Sequence, residues 1–303
     1  MTEPVLEFVS CPDAQGLHRM AYHAWGDPQA SHAVVCVHGL TRQGRDFDTL
    51  AQALIDQAKA QGLPPLRVIC PDVVGRGKSD WLQDPLAYQI PQYAADMAAL
   101  LGHLRQTSAL QTIDWVGTSM GGLIGLVLAA QELPLRMKHL VLNDVGPAIA
   151  WSSIQRMQQY VGQTGRFANL QEASDAMWQV SQSFGPHTPE AWLNLSRHMV
   201  RPLPDGAVTL HYDPALGQSV RKMTMEDAAA GEALLWQMYD QIKVPTLLIR
   251  GADSDLLSLE TARAMGERGP KAQCVEFAGV GHAPTLIDPG QISAVQLFLS
   301  QSD

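Results

Sequence analysis

Asp114-Trp115-Val116-Gly117-Thr118-Ser119-Met120-Gly121-Gly122-Leu123-Ile124-Gly125-Leu126-Val127-Leu128-Ala129-Ala130 is the stretch on which the reading of this chain turns. Ile113, Trp115 and Val116 make a short β-prone apolar run, and Leu123 to Ala130 is almost wholly apolar, as a helix buried against a sheet must be. Between them lies Gly117-x-Ser119-x-Gly121, with a further small residue at Gly122. A strand that turns sharply into a helix in this way pushes the serine Oγ out above the sheet edge, and flanking side chains would collide there, so glycine is required. The helix then aims its first N–H groups back at the serine, and the N–H of Met120 becomes a candidate donor to an oxyanion.

Composition bounds the setting of that motif. At 303 residues the chain is long enough to bury a large core, and 46% hydrophobic with 17% charged residues describes an ordinary globular protein. A formal net charge of -9 argues against nucleic acid and anionic membrane surfaces as partners. Met1 to Phe8 carries Glu3, Pro4 and Glu7 and lacks the basic and apolar regions of a secretory signal, and no run has the length of a membrane span. Cys11, Cys36, Cys70 and Cys274 are widely spaced, with no C-x-x-C pair, so reduced thiols and a cytoplasmic location are expected, without a metal site. The expected partner is a small-molecule substrate, and nothing in the pattern specifies an oligomeric state.

Working outward from the serine, short apolar strands alternate with helices. Ala33 to Val37 reads as a buried strand ending in His38-Gly39-Leu40, followed by a helix over 47–60 with Asp46 as its N-cap and Gly62 at its end. Arg67 to Cys70 is a strand, Asp72 to Asp80 a loop, and 93–104 a helix; His139 to Leu142 is the strand after the serine helix. Alternation of this kind predicts right-handed crossovers and a mainly parallel sheet, an α/β fold. From 147 to 241 the strands give way to helical stretches rich in Trp, Phe and Met, and the alternation returns at Thr246 to Ile249, Leu259 to Met265, Gln273 to Phe277 and from Pro289. The expectation is a core of residues 1–146 and 242–303 with a helical cap, 147–241, inserted between two of its strands.

A nucleophilic serine needs a base, and the base needs an orienting carboxylate. His282 suits the first role, because Gly279-Val280-Gly281-His282-Ala283-Pro284 is a loop directly after a predicted strand. His38 is read as structural. Gly75-x-Gly77 lacks the spacing of a dinucleotide loop and does not open into a helix, so no cofactor is expected.

These residues resemble the α/β-hydrolase family over nearly the whole chain. His38-Gly39 after a strand is similar to the family's oxyanion loop, which implies that the N–H of Leu40 joins that of Met120, with Gly39 beside the substrate. Asp72 to Asp80 resembles its D-x-x-G-x-G-x-S loop, and Ser119 precedes His282 in the family order. The resemblance implies an eight-stranded, mainly parallel sheet flanked by helices. The cap and the Ser-Met-Gly-Gly turn look like the esterase and carbon–carbon bond hydrolase branches; a dehalogenase would carry a carboxylate in place of Ser119. The family's usual acid position, in the loop after Thr246 to Ile249, holds Ser254, flanked by Asp253 and Asp255. Other members place the acid after the preceding core strand, where Asp144 stands. Strand ends lie about 5 Å apart, so both loops reach the histidine, and the candidates rank Asp144, Asp255, Asp253. Arg42 could project into the pocket and pair with an anionic substrate, or pair with Asp46. The implied activity is hydrolysis of a small carboxylic ester through an acyl-serine; the alternatives are activated carbon–carbon or amide bonds, or a non-catalytic ligand sensor.

Overall fold

The computed structural model describes residues 2–301. The ribbon β1 (Val5–Asp13) and β2 (Gly16–Gly26) leads into β3 (His32–Val37), α1 (Asp48–Ala60), β4 (Leu66–Pro71), α2 (Ile90–Thr107), β5 (Thr112–Thr118), α3 (Met120–Ala129) and β6 (Arg136–Asn143). Five helices follow: α4 (Trp151–Tyr160), α5 (Leu170–Ser181), α6 (Pro189–Ser196), α7 (Leu216–Lys222) and α8 (Met225–Gln241). Between α6 and α7 run β7 (Val200–Pro202) and β8 (Val208–Leu210). The chain then returns through β9 (Thr246–Gly251), α9 (Leu259–Glu267), β10 (Gln273–Phe277) and α10 (Pro289–Leu299).

Eight strands form one sheet in the order β1-β2-β4-β3-β5-β6-β9-β10. β2 alone runs against the others, pairing antiparallel with β1 and β4, while every remaining pair is parallel. The continuous apolar runs reflect burial on both faces. Along β3, Ala33, Val35 and Val37 face one core, with Leu100 and Leu101 of α2 and Ile124 of α3; Val34 and Cys36 face the other, with Leu50 and Leu54 of α1 and Val295 of α10. β6 pairs directly with β9, so the whole stretch between them leaves the sheet and comes back to it at adjacent strands.

The glycines of α3 are packing residues as well as turn residues. A Cβ on Gly121 would collide with the Val37 carbonyl, and one on Gly125 with the Trp115 indole, which is fully buried and donates Nε1–H to Gly121 O at 3.0 Å. α3 therefore lies close against β3 and β5, and its N-terminus is held at the sheet's carboxyl edge.

Two local expectations are corrected, the cap of α1 and the absence of strands between β6 and β9. The N-cap of α1 is Phe47, at the end of a 3-10 turn over Gly44–Phe47, and Asp46 is held by Arg42 instead. α9 is capped by Ser258, whose hydroxyl accepts from Thr261 N–H. The stretch between β6 and β9 contains one three-residue ribbon, β7 with β8, too short to leave a hydrophobic run in the sequence. Cys11, Cys36 and Cys70 are buried free thiols and Cys274 an exposed one.

Candidate active site

Ser119 stands at the end of β5 with φ 52° and ψ -116°, a left-handed conformation that a serine adopts only under constraint. The constraint is visible: Ser119 N–H donates to Asn143 O at 2.9 Å, and Gly117, Gly121 and Gly122 are packed so closely that none admits a side chain. Asp144, one residue beyond β6, is also left-handed, at φ 55°. Its N–H donates to Ile249 O at 2.7 Å. Two strained residues thus sit on adjacent strands and face the same edge of the sheet.

His282 bridges them. Its Nε2 lies 2.9 Å from Ser119 Oγ and its Nδ1 2.7 Å from Asp144 Oδ2. Asp144 is fully buried, and its carboxylate also accepts the Gly251 N–H at 2.8 Å and the Ser254 hydroxyl at 2.6 Å. With donors on both oxygens the Asp144 carboxylate is held in place, and its contact with Nδ1 orients the imidazole so that Nε2 faces the serine. The loop carrying His282 is tied down from two sides. Asn143 Nδ2 donates to Pro284 O at 2.8 Å, while the Ser183 hydroxyl donates to His282 O at 3.1 Å and the Ser183 backbone carbonyl accepts Gly281 N–H at 2.6 Å.

Gly39 passes beside the serine: a Cβ there would lie 3.7 Å from Ser119 Cβ. Met120 is the first residue of α3, so its N–H belongs to the set that has no partner within the helix. His38 supports this corner. It donates from Nδ1 to Gly39 O at 2.7 Å and accepts Val73 N–H on Nε2 at 2.9 Å. Complete burial, assisted by the charge of Arg76, pushes His38 down to about 3, so it is a neutral strut. The Asp72 loop braces itself: Asp72 accepts from Gly44 and Lys78 N–H groups at 2.8 Å and from His23, and these bonds hold its carboxyl below the usual range against the cost of burial.

The other sequence candidates fall elsewhere. Asp255 is half-exposed and pairs with Arg156 of α4. Asp253 is exposed. Arg42 lies on the cavity wall, but its guanidinium is committed to Asp46 by two bonds of 2.6 and 2.8 Å, and both side chains are largely desolvated. Of the two partners open to Arg42 in the sequence, the structure shows Asp46. Ser254 and Ser183 were legible only as loop polar residues; the one signal for Ser254 was its place where an acid is usually found.

Above the serine opens a cavity of about 680 Å³, bounded by Leu40 on the sheet side and by Met157, Tyr160, Phe167, Met177 and Phe184 on the other. The indoles of Trp178 and Trp192 stay outside it, packed edge to face at 5.0 Å.

The family model described as the alpha/beta hydrolase family matches residues 34–295. The chain belongs to the alpha/beta hydrolase family. This hydrolase is 47% identical over 301 residues to the 3-hydroxybutyrate-oligomer hydrolase of Cupriavidus necator, covering 98% of each chain. It is 26% identical over 255 residues to the 2-hydroxy-6-oxo-2,4-heptadienoate hydrolase of Pseudomonas putida, covering 78% of this chain and 79% of the other. Among solved structures, an alpha/beta hydrolase from Novosphingobium aromaticivorans superposes with a TM-score of 0.82 at 31% identity, covering 99% of both chains. No helix among the described residues is long and apolar enough to cross a membrane.

Proposed function

We propose that this hydrolase cleaves short oligoesters of a hydroxyalkanoic acid, 3-hydroxybutyrate oligomers foremost, through an acyl-serine intermediate. Ser119 Oγ attacks the ester carbonyl while His282 Nε2 takes its proton. The N–H groups of Leu40 and Met120 hold the oxyanion, and His282 returns the proton to the departing alkoxide. Water, activated by the same histidine, then releases the acid. Asp144 orients the imidazole and stabilises its charged form.

The observation that carries this reading is the continuous line from Ser119 Oγ through His282 to Asp144, at 2.9 and 2.7 Å. Support for the substrate class comes from the Cupriavidus necator relative, matched over 98% of both chains, and from the cavity. Methyl-branched ester units suit its walls of Met157, Phe167, Met177 and Phe184, with the Gln159 side chain on the same wall to meet ester carbonyls. We assign residues 147–241 the role of a cap that closes over the bound chain, since Tyr160, Met177 and Phe184 all come from that segment. Four unpaired cysteines fit work in a reducing cytoplasm. Incubation with 3-hydroxybutyrate dimer and trimer, followed by chromatography of the released acid, tests the proposal. Turnover by the wild type and none by Ser119→Ala is expected; no release from either oligomer, in a preparation that cleaves aryl esters, removes the substrate class.

A further inference from the structure

The Asp72 loop contains a residue whose side chain braces it and also reaches beyond it. Arg76 is completely buried, and its side chain leaves the loop to reach the far side of the candidate oxyanion hole. Nε donates to Leu40 O at 2.8 Å, Nη1 to Val74 O at 2.7 Å, and Nη2 approaches Met120 Sδ at 3.3 Å. Leu40 and Met120 are the two residues whose N–H groups the proposed mechanism uses. Among the described residues, no carboxylate lies within 4.0 Å of the guanidinium. Its neighbours are the faces of Tyr93 and Tyr88, with ring centroids at 4.8 and 5.9 Å, and Asp213 is met only beyond the Tyr88 hydroxyl, which donates to it at 2.5 Å.

A buried cation without a carboxylate is costly, and aromatic faces and carbonyls compensate it only in part. The buried Asp72 carboxylate of the same loop opposes this charge at His38, and the guanidinium itself stands behind Leu40 and Met120, beside the position where the tetrahedral intermediate would carry its negative charge. In such surroundings a fixed charge acts far more strongly than in water.

We propose that Arg76 is a positioning residue for the oxyanion hole, one that clamps Leu40 and Met120 from behind and adds the field of a cation with no carboxylate in direct contact, felt by the transition state rather than by the bound ester. The inference rests on the proposed oxyanion hole. It extends to the segment above the site, because the Arg76 backbone bridges to Tyr212, Gly77 N–H donates to His211 O at 3.0 Å and Asp213 N–H to Gly75 O at 2.7 Å. The loop that holds the hole also seats the roof of the cavity.

The test compares Arg76→Gln, which keeps donors and loses the charge, with Arg76→Lys, which keeps the charge and loses the fork. Two quantities are read: kcat and KM on an aryl ester, and inhibition by phenylboronic acid, which adds to Ser119 Oγ as a tetrahedral anion. The Gln variant is expected to lower kcat by about 10- to 100-fold and to weaken boronate inhibition in step, with KM changed less than about 3-fold. The Lys variant should lie between it and the wild type on both. A loss confined to KM, or equal behaviour of Lys and Gln, overturns the field; unchanged kcat and boronate inhibition in folded variants overturns the whole inference. If neither variant folds, Met120→Leu carries the test by removing only the thioether that meets Nη2: a fall in kcat with steady KM supports the clamp, and unchanged kcat refutes it. Ser119→Ala is the control that separates the two readings. Activity surviving in it ends the proposed mechanism itself, whereas its loss alongside an indifferent Arg76 ends only this inference.

Discussion

Ser254 donates its hydroxyl proton to Asp144 Oδ2 at 2.6 Å, on the same oxygen that receives His282 Nδ1. The residue at the family's usual acid position thus serves the carboxylate of the neighbouring strand end. Asp144→Asn is expected to lower kcat by about 10⁴-fold, because an amide in that place presents the wrong partner to the imidazole. Ser254→Ala should cost about 10-fold by removing one charge-assisted bond. Asp255→Asn, which touches only a half-exposed pair with Arg156, should stay within about 2-fold. Steady-state kinetics on the three folded variants decide, and a larger loss from Asp255→Asn than from Asp144→Asn would move the acid.

The serine can be tested without any substrate. A fluorophosphonate should add one adduct to the wild type, seen as a single mass increment, since His282 Nε2 stands 2.9 Å from the Oγ it must deprotonate. Ser119→Ala should remain unmodified. Labelling of that variant to the same extent would assign the nucleophile to another residue.

Arg42 is expected to act through stability. Arg42→Met strands the Asp46 carboxylate, which burial already pushes up and only Arg42 pulls back, and losing one partner of a desolvated pair costs about 3 kcal/mol. An ester bearing a carboxylate and its neutral isostere should lose activity in equal proportion. Selective loss on the anionic ester, in a variant of normal thermal stability, would restore Arg42 as a reader of substrate charge.

His38 supplies a pH dependence whose sign follows from its burial. Its folded value is near 3 against 6.5 for the free imidazole, so between these limits the unfolded chain binds the extra proton and stability rises with pH. From pH 7 down to pH 5 this one group removes about 2 kcal/mol of stability. Denaturant unfolding at both pH values should show that gap narrowed in His38→Asn. A gap of the same size in both proteins would mean that acid acts through other groups.

The sequence by itself determined what depends on neighbours along the chain. The switch from a β-prone run to a continuous apolar helix at Ser119 is local, as is the need for glycine around a left-handed serine, and both follow from sterics within a few residues. The alternation of strands and helices likewise specified the α/β architecture, because apolar runs of that length must be buried on both faces. Only the tertiary structure decided which side chains meet. Asp144 lies 110 residues from Ser254 and 138 from His282, and no spacing rule operates at such separations. Arg42, four residues from Asp46, was open to either partner in the sequence, and desolvation in the folded cavity wall settled it in favour of the local pair. Arg76 was invisible for the opposite reason: its loop reads as a turn of small and polar residues, and a buried guanidinium spanning from residue 76 to residues 40 and 120 exists only once three separate strand ends are brought together.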